Sequence, residues 1–163
     1  MDVVRIQGIQ KQALEEGWNY AREIDELRGY GVARIRMKLK SGETEFTDDK
    51  GATITVCPLQ PVERECTEAL DPAAIDAARQ RYLRQEIDLG TFFDLLAVAG
   101  VWFYDLDTRS KAVSHYDWKE QLQYDGDFTV GPAATSGGPE ESPATPVRND
   151  SVLIRTYTAD CAG

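Results

Sequence analysis

The sequence predicts an α+β fold in which two tandem α-α-β-β repeats share one sheet and one hydrophobic core. The first observation is an internal repeat, because residues 2–50 align without a gap on residues 71–119, with ten identities in 49 positions, where chance gives about three. The second is that the apolar residues of each copy first follow helical spacing and then alternate as in a strand. The third is size, since a repeat of about 55 residues buries too little surface to fold alone. The identical pairs include Asp2 with Asp71, Leu27 with Leu96, Gly31 with Gly100 and Asp48 with Asp117.

The first copy is expected to begin with two helices. Asp2 caps the first helix, which runs to about Glu16, and Asn19 caps the second, because short polar side chains accept hydrogen bonds from the first N–H groups of a helix. The second helix is expected to end at Gly31, since a residue without Cβ readily adopts the left-handed conformation that stops a helix.

A hairpin with a basic first strand completes the first copy. The strand starts at Val32, and Ser41-Gly42 is predicted as its two-residue turn. This turn places acidic side chains opposite basic ones, so cross-strand pairing neutralises most of the basic stripe and a phosphate-binding role is not expected. The predicted pairs are Lys40 with Glu43, Lys38 with Glu45, Arg36 with Thr47 and Arg34 with Asp49.

The second copy repeats these signals before the composition changes. Asp71 and Asp88 are its predicted helix caps, Gly100 its helix stop, and a second hairpin ends near Tyr116. The predicted organisation is a repeat-built domain over residues 1–126, with copy one at 2–56, a linker at 57–70 and copy two at 71–125, then a disordered Pro/Gly/Ser spacer at 127–150 and a strand-like tail at 151–163.

Charge and composition indicate a soluble protein. The net charge of −10 repels phosphate backbones, so nucleic-acid binding is not expected. No apolar run approaches the roughly 20 residues that span a membrane. Three cysteines are few and odd in number, which favours the reducing cytoplasm.

The second copy resembles a known family. The resemblance rests on the run from Asp71 to Arg79, on Phe92-Phe93, on Ala99-Gly100-Val101 and on a tyrosine-bearing hairpin. These features are similar to the family of unknown function numbered 1398, whose members are bacterial and phage-associated and are sometimes labelled phage envelope proteins. The resemblance covers residues 1–125 and implies the two-repeat fold. Its motifs are structural rather than catalytic. In the family the second hairpin often has a basic turn and a tyrosine followed by glycine, and here Ser114-His115-Tyr116-Asp117 replaces that ending.

The chain offers little that predicts catalysis. His115 is the only histidine, and no cysteine neighbours it, which argues against a histidine-rich metal site. No phosphate-binding glycine loop, nucleophile elbow or Cys-x-x-Cys pair is present. We therefore expect no metal and no cofactor, and we lean against an enzyme.

The strongest functional signal is a difference between the copies. Five positions that are apolar or aromatic in copy two align with polar or small residues in copy one, which predicts an exposed face that needs a cover. A protein partner, a second copy of the chain or the C-terminal strand would provide that cover. The predicted interaction face comprises Phe92, Leu95, Val98, Trp102 and Phe103, which align with Glu23, Glu26, Gly29, Ala33 and Arg34. The leading hypothesis is therefore a non-enzymatic protein-interaction module of phage or mobile-element type.

An alternative of a different class remains open. A small-molecule binder or enzyme would place its pocket between the two repeats, where tyrosine, tryptophan and histidine suit a polar ligand. The candidate pocket residues are Tyr104, His115, Tyr116 and Trp118.

Overall fold

Each repeat folds into two helices followed by three strands. A computed structural model of the protein describes residues 1–58 and 62–127, so the predicted tail and all but the first residue of the predicted spacer lie outside the described residues. The first copy comprises α1 (Val3–Glu16), α2 (Tyr20–Gly29), β1 (Val32–Lys38), β2 (Thr44–Asp48) and β3 (Thr53–Val56). The second comprises α3 (Pro72–Leu83), α4 (Leu89–Val98), β4 (Phe103–Asp107), β5 (Ala112–Tyr116) and β6 (Leu122–Asp127).

The predicted start and stop signals of the helices are confirmed. Each N-cap side chain, from Asp2, Asn19, Asp71 or Asp88, accepts a hydrogen bond from a backbone N–H two or three residues further on. Gly31 and Gly100 follow the second helix of each copy with φ values of 106° and 89°. These conformations are easy for glycine alone.

All six strands form one antiparallel sheet in the order β3-β2-β1-β4-β5-β6. The two copies therefore meet at the centre, where β1 pairs with β4. In that pair Arg36 lies opposite Asp105, the residue at its own equivalent position in the other copy. Ile35 lies opposite Leu106, and their equivalents Tyr104 and Met37 lie opposite each other. The register thus has the self-complementary form of a two-fold interface.

The helices cover one face of this sheet. Ile35, Tyr104 and Leu106 point toward the helices and join the same buried cluster as Ile24 and Phe93. Arg34 and Lys38 alternate with the inward residues of β1 and are exposed. The shared core and the shared sheet confirm the predicted α+β architecture.

Two details of the predicted strands are wrong. The prediction of two strands per copy missed β3 and β6, which occupy equivalent positions at the ends of the two copies. The register of the first hairpin is also shifted by two residues from the prediction, since Arg36 pairs with Glu45 and not with Thr47. The reason lies at Leu39, which is buried and donates its N–H to the carbonyl of Trp102 at 2.9 Å. Leu39 therefore leaves the hairpin ladder, and the loop is wider than Ser41-Gly42.

The turn that follows β2 recurs after β5. In both copies an aspartate Oδ1 accepts hydrogen bonds from the N–H groups two and four residues ahead, with Asp48 bonding Lys50 and Ala52, and Asp117 bonding Lys119 and Gln121, all at 2.9 Å. The residue with positive φ is Gly51 in copy one, at 83°, but Glu120 in copy two, at 59°. Since a residue with a Cβ disfavours this conformation, copy two carries a strained glutamate where copy one has the permissive residue.

Two aspartates that cap turns, Asp48 after β2 and Asp107 after β4, should make the stability fall at acid pH. Backbone N–H groups of Ala52 and Lys50 lower the pKa of Asp48, and those of Ser110 and Arg109 help to lower the pKa of Asp107. A lowered folded-state pKa gives stability that is present above the unfolded pKa, about 3.9, and is lost as the pH falls through the folded value.

We therefore expect the double variant Asp48→Asn/Asp107→Asn to lose less stability than the natural protein between pH 5 and pH 2.5. The urea unfolding midpoint, followed by circular dichroism across that range, measures the effect. If the unfolding midpoints of the two proteins fall equally with pH, other carboxylates dominate the acid unfolding.

Candidate functional site

The five residues of the predicted interaction face do not form one surface. Phe92 is only 1% exposed, and its ring stacks on Tyr82 with the ring centroids 5.0 Å apart. Because α4 lies against α3 and the core at this point, Phe92 is a core residue, and its assignment as an exposed anchor is wrong. Its equivalent in copy one, Glu23, is also 1% exposed, although its polarity predicts a solvent-exposed position.

Leu95 and Val98 lie together in a groove between α3 and α4. Val98 is 64% exposed, and Leu95 is half-buried against the core. The groove has a volume of about 270 Å³. It is lined by Asp71, Ala74, Ala77, Ala78, Arg81, Leu95, Val98 and Ala99. The structure therefore keeps two of the five predicted residues on one apolar surface.

Trp102 and Phe103 lie elsewhere. The Trp102 Nε1–H donates to the carbonyl of Thr67 at 3.1 Å, and the Lys40 ammonium lies 5.4 Å from its ring centroid. The linker thus contacts Trp102. Phe103 points to the face of the sheet opposite the helices, where the Arg36 guanidinium carbon lies 4.6 Å from the ring centroid.

The alternative pocket residues are also divided between two faces of the sheet. Tyr104 and His115 are paired across β4 and β5, point into the core and meet edge to face at 5.7 Å. Tyr116 is paired with Phe103 on the open face, and Trp118 is 46% exposed beyond the end of β5. A single pocket lined by all four residues is therefore not formed.

Tyr104 and His115 instead join a buried polar cluster between the copies. Tyr20 and Glu23 come from α2, Tyr82 comes from α3, and burial raises the pKa of all three phenols in the cluster, Tyr20, Tyr82 and Tyr104. The phenols consequently stay protonated at neutral pH. Sequence reasoning missed Tyr20 and Glu23, although the spacing of Tyr20, Glu23 and Leu27 marks one face of α2.

A second concavity lies on the open face of the sheet. It has a volume of about 310 Å³ and spans four strands and the turn after β5. Its lining residues are Arg36, Lys38, Glu43, Glu45, Thr55, Phe103 and Glu120. The sequence predicts basic side chains on β1 with acidic side chains opposite them, but it does not indicate that Phe103 and Glu120 of copy two lie beside them.

The cysteines and carboxylates add no further centre in the part of the chain that the structure describes. Cys66 has a free thiol, and burial raises its pKa, which makes it a poor nucleophile. Because the Cys66 thiol is free, no disulfide joins it to Cys57 across the linker. Over residues 1–58 and 62–127, no three His, Cys, Asp or Glu side chains are grouped closely enough to hold a metal ion.

The architecture defines a class, a two-layer α+β protein made of two fused α-α-β-β-β repeats. Within that class, the family model described as a protein of unknown function, DUF1398, matches residues 10–126. The chain belongs to this family, as the resemblance implied. No curated protein matches the chain. Among the described residues, no helix has the length and apolar character required to cross a bilayer.

Proposed function

We propose that this protein is a non-enzymatic protein-interaction module, which takes apolar side chains of a partner protein into the groove between α3 and α4. The phage or mobile-element setting implied by the family resemblance is part of this proposal. The groove retains Leu95 and Val98 from the predicted interaction face, while Phe92, Trp102 and Phe103 serve other contacts.

The observation that supports the proposal is the comparison with the same groove in copy one. Glu26 and Gly29 of α2 occupy the positions of Leu95 and Val98, and Arg5 of α1 occupies the position of Ala74. Glu26 and Arg5 are exposed. Because copy one forms the same helix pair with polar or small residues at these three positions, the helix pair can form without the apolar residues that copy two has there, and a binding role accounts for them.

The size of the groove favours side chains of a protein over other occupants. Its 270 Å³ lies just below the range of about 300–1,000 Å³ typical of drug-sized ligand pockets. A stable dimer buries about 800 Å² on each partner, far more than a few side chains cover. One or two apolar anchors from a partner segment fit these limits best.

Substituting Val98 should remove binding without unfolding the protein. Val98→Asp is expected to change the free energy of unfolding by less than about 0.5 kcal/mol, because the side chain is exposed, and to weaken binding of apolar-anchored peptides at least tenfold. Peptides selected on the full chain from a random displayed library provide the ligands, and fluorescence anisotropy measures their dissociation constants.

Val4→Asp is the matched control, since Val4 is an equally simple exposed valine, 72% accessible, on α1. Peptides that bind both variants as well as the natural protein would refute the groove, as would a library that yields no Val98-sensitive binder. Light scattering on the same samples tests self-association, and a dimer that is lost only in Val98→Asp would make a second copy the occupant.

The alternative of a small-molecule site has weaker support. Tyr104 is 1% exposed and His115 is 3% exposed. Tyr104 packs edge-on against both Phe93 and His115, with centroid distances of 5.1 and 5.7 Å. Aromatic packing therefore already occupies the place where this pocket was expected.

A further inference from the structure

The concavity on the open face of the sheet combines an aromatic surface with excess negative charge. Phe103 lies beside basic and acidic side chains that come from β1, β2, the loop between them and the turn after β5. Two cations and three carboxylates line the space. This site is on the opposite side of the sheet from the α3–α4 groove, and its existence does not depend on the function proposed for that groove.

Both cations in the concavity are already engaged. Lys38 Nζ lies 3.4 Å from Glu43 Oε2. Arg36 Nη2 lies 3.1 Å from Glu120 Oε2, and its Nε lies 3.7 Å from Asp105 Oδ1. The guanidinium also covers the Phe103 ring, which restrains it further.

Glu45 is the one carboxylate of this lining that forms no ion pair with Arg36 or Lys38. Within the described ranges 1–58 and 62–127 it takes part in no ion pair shorter than 4 Å, although it is half-buried, faces Arg36 across the β1–β2 ladder and interacts with Arg34 at longer range. Thr55 lies opposite Glu45 on β3 and supplies a hydroxyl to the same wall. The wall formed by β2 and β3 therefore offers hydrogen-bond acceptors to a positively charged group.

Glu120 closes the other side of the concavity. Its backbone has a positive φ, as does Gly51 at the equivalent position of copy one. Its carboxylate accepts a hydrogen bond from Arg36 on the central strand β1. Glu120 neutralises Arg36, whereas Asp105 hydrogen-bonds Arg34 and lies 3.7 Å from Arg36 Nε. Because these cations are paired with carboxylates, the interior of the concavity does not repel a cation. The hydroxyl of Ser41 lowers the pKa of Glu43, so that carboxylate also stays charged into the acid range.

We infer that this concavity binds a basic side chain, arginine or lysine, presented by a segment of another protein. The charged end would be held by Glu45 and its neighbours, and the aliphatic stem would pack beside Phe103. Charge complementarity supports this occupant, since the lining is acidic and the whole chain carries a net charge of −10.

A titration with small model peptides tests the inference. The ¹⁵N-labelled full chain is titrated with acetyl-Gly-Arg-Gly-amide, and with the citrulline analogue, which has nearly the same shape without the charge. We expect amide shifts to concentrate on β1, β2 and the turn at Glu120, and the citrulline peptide to bind at least tenfold more weakly. Glu45→Gln should weaken the arginine peptide about fivefold, the scale of one partly exposed charge pair.

Glu26→Gln removes one negative charge from an exposed position on α2 and is the matched control. Native-like spectra of both variants exclude a folding defect. Equal weakening by the two variants would mean attraction by net charge alone and would overturn the inference. Equal binding of arginine and citrulline, or shifts that avoid the open face, would overturn it as well.

Discussion

Replacing Gly100 by alanine is expected to destabilise the protein by about 3–5 kcal/mol, a large part of the roughly 5–15 kcal/mol by which a typical domain is stable. A Cβ at this position would lie 2.4 Å from the carbonyl oxygen of Ala69 and 2.7 Å from the Cα of Leu70. These are backbone atoms of the linker, which cannot rotate away as a side chain would. The positive φ of 89° adds strain of its own.

The variant Gly31→Ala separates the two causes, which are the steric contact with the linker and the strain of a positive φ. Gly31 is the equivalent glycine of copy one and has φ 106°, but a Cβ there would meet no heavy atom within 4 Å. Its replacement should therefore cost only the conformational penalty, about 1–2 kcal/mol. Urea unfolding monitored by circular dichroism measures both variants. Equal losses would show that contact with the linker contributes nothing and that backbone conformation explains both.

Replacing Phe92 by alanine should have a comparable effect, about 3–5 kcal/mol, because a buried aromatic ring is removed from a packed core. The ring lies between Tyr82 and Phe93, at centroid distances of 5.0 and 5.7 Å. The unfolding free energy from urea denaturation is the measurement, and the control is Val98→Ala on the same helix, expected to change it by less than about 0.5 kcal/mol.

Together, Phe92→Ala and Val98→Ala distinguish a residue of α4 that packs in the core from one that is free to bind a partner. A small loss at Phe92 would mean that its ring is accessible and would restore it to the interaction face. A large loss at Val98 would instead show that the α3–α4 groove is covered in solution by something that contributes to folding stability.

The fold could be predicted where local signals and the repeat agreed. The capping aspartates and Gly31 with Gly100 act through their own backbone, so the sequence alone indicates their roles. The third strands could not be predicted, since β3 has four residues and depends on β2 for its hydrogen bonds. The hairpin register depended on Leu39 contacting Trp102, a distant residue whose position was unknown.

The candidate site could be predicted only in part, because a list of apolar positions does not say which layer each one joins. Between Val98 and Phe103 the chain passes from the helix layer to the open side of the sheet. Residues close in sequence consequently end on opposite faces. The burial of Glu23 was missed for a related reason, since polarity predicts exposure unless neighbours such as Tyr20 and Tyr82 are known to surround the carboxylate.

The pairing of Arg36 with Asp105 at the centre of the sheet has a consequence for how the two halves recognise each other. On its open side, β1 carries Arg34, Arg36 and Lys38, while β4 carries Phe103, Asp105 and Asp107. If either half paired with a copy of itself in this register, like charges would meet at the axis, and such juxtapositions are destabilising. Each half therefore pairs favourably with the other half and not with a copy of itself, as the two different subunits of a heterodimer do.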